Sequence, residues 1–337
     1  MKAYKLHAPK NLDNFKLGEY DEPTARDHEV KIQVKAVSLN YRDWALANGW
    51  FGYPGEKLPF VPFSDAAGLV TEVGASVTKF RAGDRVAVNF FPDWHDGAFS
   101  AAKTTRSLGG STDGVLAEYV CFPEDAVAKV PDSFSFEEAA AFPCAGVTAW
   151  HSLVVEGRLQ PTDTVLLQGT GGVSVFGLQI AKLLGAQVII TSSSDDKLAQ
   201  AQALGADQLI NYKQTPNWEA KARELTQGEG VTHVLEVAGQ LARSIKALKA
   251  GGSIFQIGAV GGPNDEAPNL SMLPLNTQRL QGIYVGSTQM LTDMLVAFDR
   301  NHLKPVISKT FSFDEAKEAL AYMGSGSHFG KIVVQVG

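Results

Sequence analysis

The chain has 337 residues, more than one hydrophobic core usually organises, so two domains are expected. Its composition, 45% hydrophobic and 20% charged, is typical of a soluble globular protein. A formal charge of -6 and a pI near 5.7 exclude the basic surface that nucleic acid or an anionic membrane would require, so small molecules are the expected partners.

The cysteine content and the start of the chain predict the compartment. Only Cys121 and Cys144 occur, which excludes a disulfide framework or a CxxC zinc cluster and fits a reducing environment. The first residues, MKAYKLHAPK, lack the apolar core of a signal peptide, and no run reaches the roughly 18 apolar residues of a membrane helix. We therefore expect a cytoplasmic protein.

Before residue 130 the chain shows short extended runs separated by turn-forming residues. HEVKIQVKAVSLN and GLVTEVG are two such runs, and they indicate an antiparallel β-rich domain. In KVPDSFSFEEAAAF, which follows, Pro131 and Asp132 form a turn, and Ser135 with Glu138 predicts a capping box. A domain junction is expected there.

From residue 164 onward, short apolar strands alternate with helices. Helices are predicted over 173–184 and over DDKLAQAQALG, with Gly185 and Gly205 at their C-caps. This alternation predicts βαβ units, and six strands form a full doubly wound dinucleotide-binding sheet. The predicted strands are 164–168, 187–191, 208–211, 233–237, 253–257 and 281–285.

A glycine cluster follows the first of these strands, where residues 166–177 read LLQGTGGVSVFG. Gly169 and Gly171 occupy the first two positions of a G-x-G-x-x-G fingerprint, between a strand and a helix, and Ser174 replaces the third glycine. The alternative is a plain glycine-rich turn, but the surrounding strands favour a pyrophosphate site at the helix amino end. Gly177, one turn later, can assist the close packing of helix and strand.

The second strand indicates which dinucleotide binds. NAD sites carry an Asp or Glu about 20 residues beyond the glycines, whereas this strand ends in Ser192, Ser193 and Ser194, with Lys197 following. Hydroxyls and an ammonium suit the 2′-phosphate of NADP, so NADPH is the predicted cofactor. The alternative is that the serines only cap the next helix and Lys197 is a surface charge. Asp195 and Asp196 can also cap that helix, and their charge weakens the phosphate argument.

Several motifs together resemble the medium-chain dehydrogenase/reductase superfamily. They are the β-rich start, GTGGVS, TSSSDDKLAQAQALGAD, INYK and the GKIVV near the carboxyl end. Over nearly the whole chain the likeness is greatest to the zinc-free, quinone-oxidoreductase-like branch.

The resemblance implies an α/β protein in which a GroES-like catalytic domain, 1–128 and 293–337, surrounds a Rossmann domain, 129–292. The active site would lie in the cleft between them. It also implies a homodimer that pairs the last Rossmann strand, about 281–287. An unpaired apolar strand edge would otherwise be hazardous there.

The positions of the metal ligands in zinc-dependent members of the superfamily can be compared with the residues of this sequence. Their catalytic ligands are a Cys, a His and a Cys or Asp, and the corresponding residues here are Asn40, Ser64 and Cys144. One thiol does not make a catalytic zinc site, and the loop of the structural zinc contains no cysteine, so no metal is expected. His95, flanked by Asp93 and Asp96, is interpreted as solvated, and Cys144 as a small packing residue.

Without a metal, catalysis would depend on hydride transfer and on hydrogen-bond donors aimed at the substrate oxygen. SLNYRDW supplies Asn40, Tyr41 and Arg42, and Tyr53 is a second candidate donor or proton source. The alternatives are that Tyr41 is a core aromatic and that Arg42 pairs with Asp43. Most of the nearby tryptophans and phenylalanines are expected to pack in the core.

The resemblance also implies further cofactor contacts. They are Thr148 near the nicotinamide, Gly172 and Val173 with Gly171 in the pyrophosphate turn, Tyr212 beside the adenosine phosphate, Gly258 and Ala259 after the fifth strand, Gly286 and Ser287 after the sixth, and Gly330 with Lys331 at the carboxyl end.

The predicted function is therefore an NADPH-dependent, zinc-independent oxidoreductase. Its substrate would be a small electrophile, either a quinone or the C=C bond of an α,β-unsaturated carbonyl. Two alternatives stay open: a metal-free carbonyl reductase or alcohol dehydrogenase, and a non-catalytic NADPH-binding protein.

Overall fold

A computed structural model describes residues 1–50, 58–258 and 267–337 of the chain. The strands are β1 Lys2–Leu6, β2 Phe15–Glu19, β3 Glu29–Leu39, β4 Asp65–Val73, β5 Arg85–Val88, β6 Tyr119–Pro123, β7 Val127–Lys129, β8 Thr164–Gln168, β9 Gln187–Ser192, β10 Gln208–Asn211, β11 Val231–Glu236, β12 Leu248–Gln256, β13 Arg279–Gly282, β14 Ile307–Ser312 and β15 Lys331–Gln335. The α-helices are α1 Tyr41–Ala47, α2 Phe136–Ala140, α3 Val147–Trp150, α4 Gly172–Leu183, α5 Asp195–Ala203, α6 Trp218–Leu225, α7 Leu241–Ala247, α8 Met272–Leu275, α9 Thr288–Arg300 and α10 Ala316–Gly324.

The chain divides into two compact units. The β-rich unit contains Met1–Val147 and Val285–Gly337, and the parallel-sheet unit contains Thr148–Tyr284. This is the expected fold class, a GroES-like domain with a Rossmann-like domain, which is confirmed. The domain boundaries predicted at 128/129 and 292/293 stay a prediction.

The main sheet of the β-rich unit is built around β3. Along β3 the buried side chains Val30, Ile32, Val34 and Ala36 alternate with half-buried ones, as expected for a strand that packs one face on a core. The described strands follow the order β14-β15-β3-β4-β5-β7, with β6 also paired to β3, and their pairs are antiparallel except β14 with β15. The predicted antiparallel β-rich region is therefore confirmed.

Two antiparallel pairings of β3 position the candidate catalytic residues. Leu39 at the end of β3 pairs with Ile332 near the start of β15, and Ser38 pairs with Asp65 at the start of β4. Because antiparallel partners run in opposite directions, the carboxyl end of β3 lies beside the amino ends of both neighbours. Residues from three distant stretches of sequence thus meet at one end of the sheet.

The parallel-sheet unit has the strand order β10-β9-β8-β11-β12-β13 among its described residues, and all these pairs are parallel. This order is that of the dinucleotide-binding fold, in which ligands bind outside the carboxyl ends of the strands where the order reverses. The reversal lies between β8 and β11, so the glycine turn after β8 stands at the switch point.

Helix ends agree with most of the predictions. Ser135 and Glu138 form the predicted capping box of α2. Gly185 and Gly205 have positive φ angles of 81° and 99°. They follow the C-cap residues Leu184 and Leu204 instead of occupying the C-caps themselves.

The sixth strand is shorter than predicted. β13 ends at Gly282, and Ser287 is the N-cap of α9, where its hydroxyl accepts a hydrogen bond from the Met290 N–H at 3.2 Å. Ile283 and Val285 are buried without being in a strand, so their apolar side chains imitate the strand pattern. The prediction that the strand continues to residue 285 was wrong.

Within residues 1–50, 58–258 and 267–337, no helix combines the length and the hydrophobicity needed to cross a bilayer. Neither Cys121 nor Cys144 forms a disulfide bond within these residues. The cytoplasmic location stays a prediction.

Candidate active site

Asn40 stands at the junction between β3 and α1. Its backbone is extended, with φ −121° and ψ 155°, and its N–H donates to Asp43 Oδ2 at 2.7 Å. This bond satisfies a backbone donor at the helix start and fixes the angle at which α1 leaves the sheet. The Asn40 side chain, 8% exposed, is held at the end of the sheet.

The Asn40 carboxamide belongs to a buried polar cluster. Lys331 Nζ donates to Asn40 Oδ1 and to the Leu39 carbonyl, both at 2.6 Å. Asn40 Nδ2 donates to Ser64 Oγ at 3.3 Å, and Ser64 Oγ donates to Asp65 Oδ1 at 2.6 Å. We call Asn40, Ser64, Asp65 and Lys331 the amide cluster.

Asp65 joins Cys144 to this cluster. The Cys144 N–H donates to Asp65 Oδ2 at 3.0 Å, and the same oxygen lies 3.8 Å from Lys331 Nζ. Burial raises the pKa of the Cys144 thiol far above its ordinary value, so the sulfur stays protonated. Asp65 is therefore linked to the Ser64 hydroxyl and to the Cys144 backbone N–H directly, and to the Asn40 amide through Ser64 and Lys331.

This set differs from the three protein ligands of a catalytic zinc. Asn40 Oδ1 already faces an ammonium, whose positive charge would repel a metal ion. In the described part of the chain, no group of three or more His, Cys, Asp and Glu side chains is arranged to hold a metal. Asp93 pairs with Arg106, and His95 lies 3.2 Å from the Pro92 carbonyl and 4.0 Å from Asp125.

Tyr41 and Arg42 have different surroundings from Asn40. The Tyr41 ring is half-buried against Trp44 and Trp50, with centroid distances of 5.4 and 6.4 Å, and burial raises the pKa of its phenol. Arg42 donates to the Leu108 carbonyl at 2.9 Å and lies 4.6 Å from the centroid of the Phe90 ring. Arg42 is thus held by the protein itself, while Tyr41 lies in an aromatic group that reaches the surface at Trp50, 61% exposed. Tyr53 lies outside the described residues.

The glycine turn of the parallel-sheet unit has the geometry that the fingerprint predicts. Gly169 has a φ of +70°, which favours glycine, and its N–H donates to Thr191 Oγ1 at 3.2 Å. Gly171 is the N-cap of α4, and Gly172 and Val173 open that helix. Since Gly171 has no side chain to cap α4, the first N–H groups of the helix are not capped by it and could bind a pyrophosphate group.

The missing third glycine is compensated in two ways. Ser174, 1% exposed, donates through its hydroxyl to the Gln168 carbonyl at 2.7 Å. Gly177 provides the close approach, because a Cβ there would lie 2.9 Å from Leu167 Cδ2 and 3.1 Å from Leu235 Cδ2. The glycine at which α4 packs closely on the sheet is therefore Gly177, about one turn after the position of the usual third glycine.

The end of β9 has the hydroxyls predicted for a 2′-phosphate, but some of them also have structural roles. Ser192 Oγ accepts a hydrogen bond from Ser194 N–H at 3.3 Å, and Ser194 is the N-cap of α5. The Asp195 carboxylate accepts from Asn211 at 2.6 Å and from Gln214 at 2.9 Å. Burial lowers the pKa of the Lys197 ammonium. The capping role is thus real for Ser194, while Ser193 is half-buried with no capping bond among the described residues.

Other predicted cofactor residues fall in both units. In the parallel-sheet unit, Tyr212 is 41% exposed, its N–H donating to the Ser192 carbonyl at 3.0 Å, Thr148 is buried, and Gly258 follows β12. In the β-rich unit, the Gly286 carbonyl accepts from Asn89 at 3.3 Å, Ser287 caps α9, and Gly330 precedes the buried Lys331. Ala259 lies outside the described residues.

A buried network at the ends of β8 and β11 is absent from the sequence prediction. Glu236, fully buried, accepts from Gln168 Nε2 at 2.9 Å, from the Ser244 hydroxyl and from the backbone N–H groups of Ala238 and Gln240 at 3.1 and 3.0 Å. The signal was available, since a polar residue ends each of two adjacent apolar strands. The network holds residues 237–240 in place beside the glycine turn.

Comparison with known proteins gives the following matches. The family model "Alcohol dehydrogenase GroES-like domain" matches residues 26–132, and "Zinc-binding dehydrogenase" matches residues 172–300. A zinc-type alcohol dehydrogenase-like protein of Schizosaccharomyces pombe is 42% identical over 96% of each chain. The 2-methylene-furan-3-one reductase of Solanum lycopersicum is 31% identical over 99% of this chain and 79% of its own length.

Two solved structures are similar over essentially the full length. An NAD-dependent alcohol dehydrogenase has a TM-score of 0.91 and 34% identity, with 100% of each chain covered. A quinone oxidoreductase from Coxiella burnetii has a TM-score of 0.81 and 28% identity, covering 100% of this chain and 99% of its own.

The Asp43 carboxyl gives a testable pH dependence. Burial raises its pKa from 3.8 to about 7, against the lowering effects of Arg42 and of the Asn40 N–H. Between pH 3.8 and about 7, the folded protein therefore keeps a proton on Asp43 that the unfolded chain has released. This difference in proton binding means that the folded state is most stable at low pH and loses stability as the pH rises towards 7.

Asp43→Asn removes this titration and is the matched reference. Urea unfolding of both proteins should show that the stability of the wild type relative to the variant falls as the pH increases from 4 to 7 and then levels off. A difference that is constant or grows with pH would contradict the shifted pKa.

Proposed function

Because this chain belongs to the medium-chain dehydrogenase/reductase superfamily, we propose that it is an NADPH-dependent, zinc-independent oxidoreductase that reduces a quinone or the C=C bond of an α,β-unsaturated carbonyl. The observation that carries the proposal is the amide cluster. It offers a side-chain N–H donor where zinc-dependent members place a metal ligand. The quinone oxidoreductase and the furanone reductase among the similar proteins support this substrate class.

NADPH fits the residues at the carboxyl ends of the parallel strands. The open amino end of α4 and the Gly169 turn would hold the pyrophosphate, and Ser193, Lys197 and Tyr212 would surround the adenosine phosphate. When bound, this cofactor supplies the hydride.

The chain's own contribution is to stabilise the charge that develops on the substrate. When a hydride reaches the β-carbon of an enone, the electron pair of the C=C bond moves towards the carbonyl and negative charge gathers on the oxygen. The Asn40 Nδ2 and the Tyr41 hydroxyl are the donors proposed for that oxygen, and the α-carbon then takes a proton from solvent or from a tyrosine.

The reaction can be tested directly with purified protein. NADPH absorbance is followed with a panel of quinones, enones, acrylates and aldehydes, and the products are identified by NMR. Consumption of NADPH with formation of saturated ketones or hydroquinones is expected. Formation of alcohols from carbonyls would instead establish a carbonyl reductase, and no consumption with any electrophile would establish a binding protein.

The donor roles predict the effect of two substitutions. Asn40→Ala should lower kcat about 100-fold, the usual effect of losing one preorganised donor, and Tyr41→Phe should also lower kcat. NADPH affinity should stay near the wild-type value, as measured by fluorescence titration. Asn48→Ala is the control, since this asparagine lies at the other end of α1, where its side-chain amide donates to the Trp44 carbonyl at 2.8 Å. Unchanged turnover in both variants would remove both residues from the site.

The proposed preference for NADPH predicts that a substitution of Lys197 affects the binding of NADPH and NADH differently. Lys197→Ala should raise the Kd for NADPH at least about tenfold, the scale of a lost hydrogen bond to a charged group, and should leave the Kd for NADH nearly unchanged. Lys221→Ala is the control, because this lysine pairs with Glu224 on α6. Equal weakening of both cofactors would show that Lys197 does not recognise the 2′-phosphate.

We also propose that the chain forms a homodimer through the β13 edge of the parallel sheet. Within the described residues β13 is an edge strand, and apolar side chains near it are exposed: Leu270, Leu275 and Tyr284 at 52%, 77% and 52%. Pairing of two β13 strands would cover this edge.

Light scattering after size exclusion tests this proposal. The expected mass is twice 36.1 kDa, and Leu275→Glu with Tyr284→Lys should give single chains. Leu17→Glu, which places a charge on an exposed leucine of β2, should leave the mass unchanged. A wild-type mass of one chain would contradict the dimer.

A further inference from the structure

We propose that Lys331 is a positioning residue for the reaction, because its ammonium orients and polarises the Asn40 carboxamide that donates to the substrate oxygen. This inference rests on the proposed function. It differs from the role that family resemblance implies for Lys331, which is a contact with the cofactor.

The contacts of Lys331 carry the inference. The side chain is 2% exposed, and two of the three ammonium hydrogens are taken by the Leu39 carbonyl and by Asn40 Oδ1, both at 2.6 Å. The Asp65 carboxylate, 3.8 Å away, faces the same ammonium. Because all of these acceptors belong to the β-rich unit, they hold the Lys331 ammonium against the Asn40 side chain.

Lys331 also determines which way the Asn40 amide faces. An ammonium has only donors, so the atom of Asn40 that faces it must be the oxygen. The nitrogen then points to the opposite side, where one hydrogen is donated to Ser64 Oγ at 3.3 Å. The second Nδ2 hydrogen has no acceptor among the described residues, and it is the donor left for the substrate oxygen.

The charge of Lys331 strengthens that donor. A charge-assisted hydrogen bond to the amide oxygen draws electron density from the nitrogen, which makes the N–H groups better donors. Asp65 keeps the cation in place, since a buried ammonium without a counter-charge would be strongly disfavoured. Asp65 is itself fixed by the Ser64 hydroxyl and by the Cys144 N–H.

A double-mutant cycle tests the coupling. The proteins are wild type, Lys331→Met, Asn40→Ala and the double variant, assayed with saturating NADPH and with an enone that the wild type reduces. If Lys331 acts through Asn40, Lys331→Met should lower kcat about tenfold or more, and the double variant should be no slower than Asn40→Ala alone. Lys331→Arg should restore part of the lost rate, because a guanidinium also has only donors.

The NADPH affinity separates positioning from cofactor binding. In Lys331→Met the Kd for NADPH should stay within about threefold of the wild type, since phosphate contacts would each contribute more than this. Additive losses of kcat in the cycle, together with an NADPH Kd raised about tenfold or more, would overturn the inference and make Lys331 a cofactor contact.

Lys331→Met leaves the buried Asp65 carboxylate without its counter-charge, and this variant could misfold for that reason alone. A second set of variants therefore removes both charges. Asp65→Asn combined with Lys331→Met removes both charges, and its cycle with Asn40→Ala should show the same lack of additivity. Circular dichroism and thermal unfolding confirm the fold of each variant before its kinetics are compared.

A spectroscopic measurement distinguishes failure of this inference from failure of the proposed function. In protein labelled with 15N-asparagine, the side-chain signals of Asn40 are identified by their loss in Asn40→Ala. Lys331→Met should shift these signals even if no electrophile is ever reduced. Unchanged Asn40 signals would overturn the inference whatever reaction the wild type performs.

Discussion

A buried ammonium must be surrounded by acceptors, and this requirement organises the end of the β-rich sheet. Lys331 meets it with the Leu39 carbonyl, the Asn40 amide oxygen and the Asp65 carboxylate. These groups come from the end of β3 and the start of β4, which the antiparallel pairings bring beside the start of β15. The same contacts that satisfy the charge therefore determine which polar atoms remain available for chemistry.

The parallel-sheet unit follows the same principle with the opposite charge. The buried Glu236 carboxylate is satisfied by Gln168, by Ser244 and by backbone N–H groups of residues 237–240. These bonds tie the segment after β11 to the end of β8, where the Gly169 turn begins. In each unit, a buried and fully hydrogen-bonded side chain thus fixes the position of the backbone segments around it.

The sequence predicts the parallel sheet well because its strands are short apolar runs ended by glycines and helix signals. β8 and β10 have the predicted bounds, and the capping box at Ser135 is present. The sixth strand was predicted too long, because buried apolar side chains at Ile283 and Val285 look the same in a strand and in an extended loop.

Much less of the candidate site could be predicted. Asn40 could be singled out by family resemblance, but its partner Lys331 is 291 positions away, and no local pattern reveals their contact. Arg42 was singled out by its charge and by its place in SLNYRDW, whereas its contacts with Phe90 and the Leu108 carbonyl depend on packing. Pairings of this kind follow from strand order and register, which residue type does not specify.

We propose that organic donors around Asn40 take the place of the metal used by zinc-dependent members of the superfamily. Measuring turnover against metal content tests it most directly, with NADPH and an enone as substrates and zinc determined by mass spectrometry after dialysis against a strong chelator. Full turnover is expected from protein that contains substoichiometric zinc. Activity that disappears with the zinc and returns when one equivalent is added would contradict it.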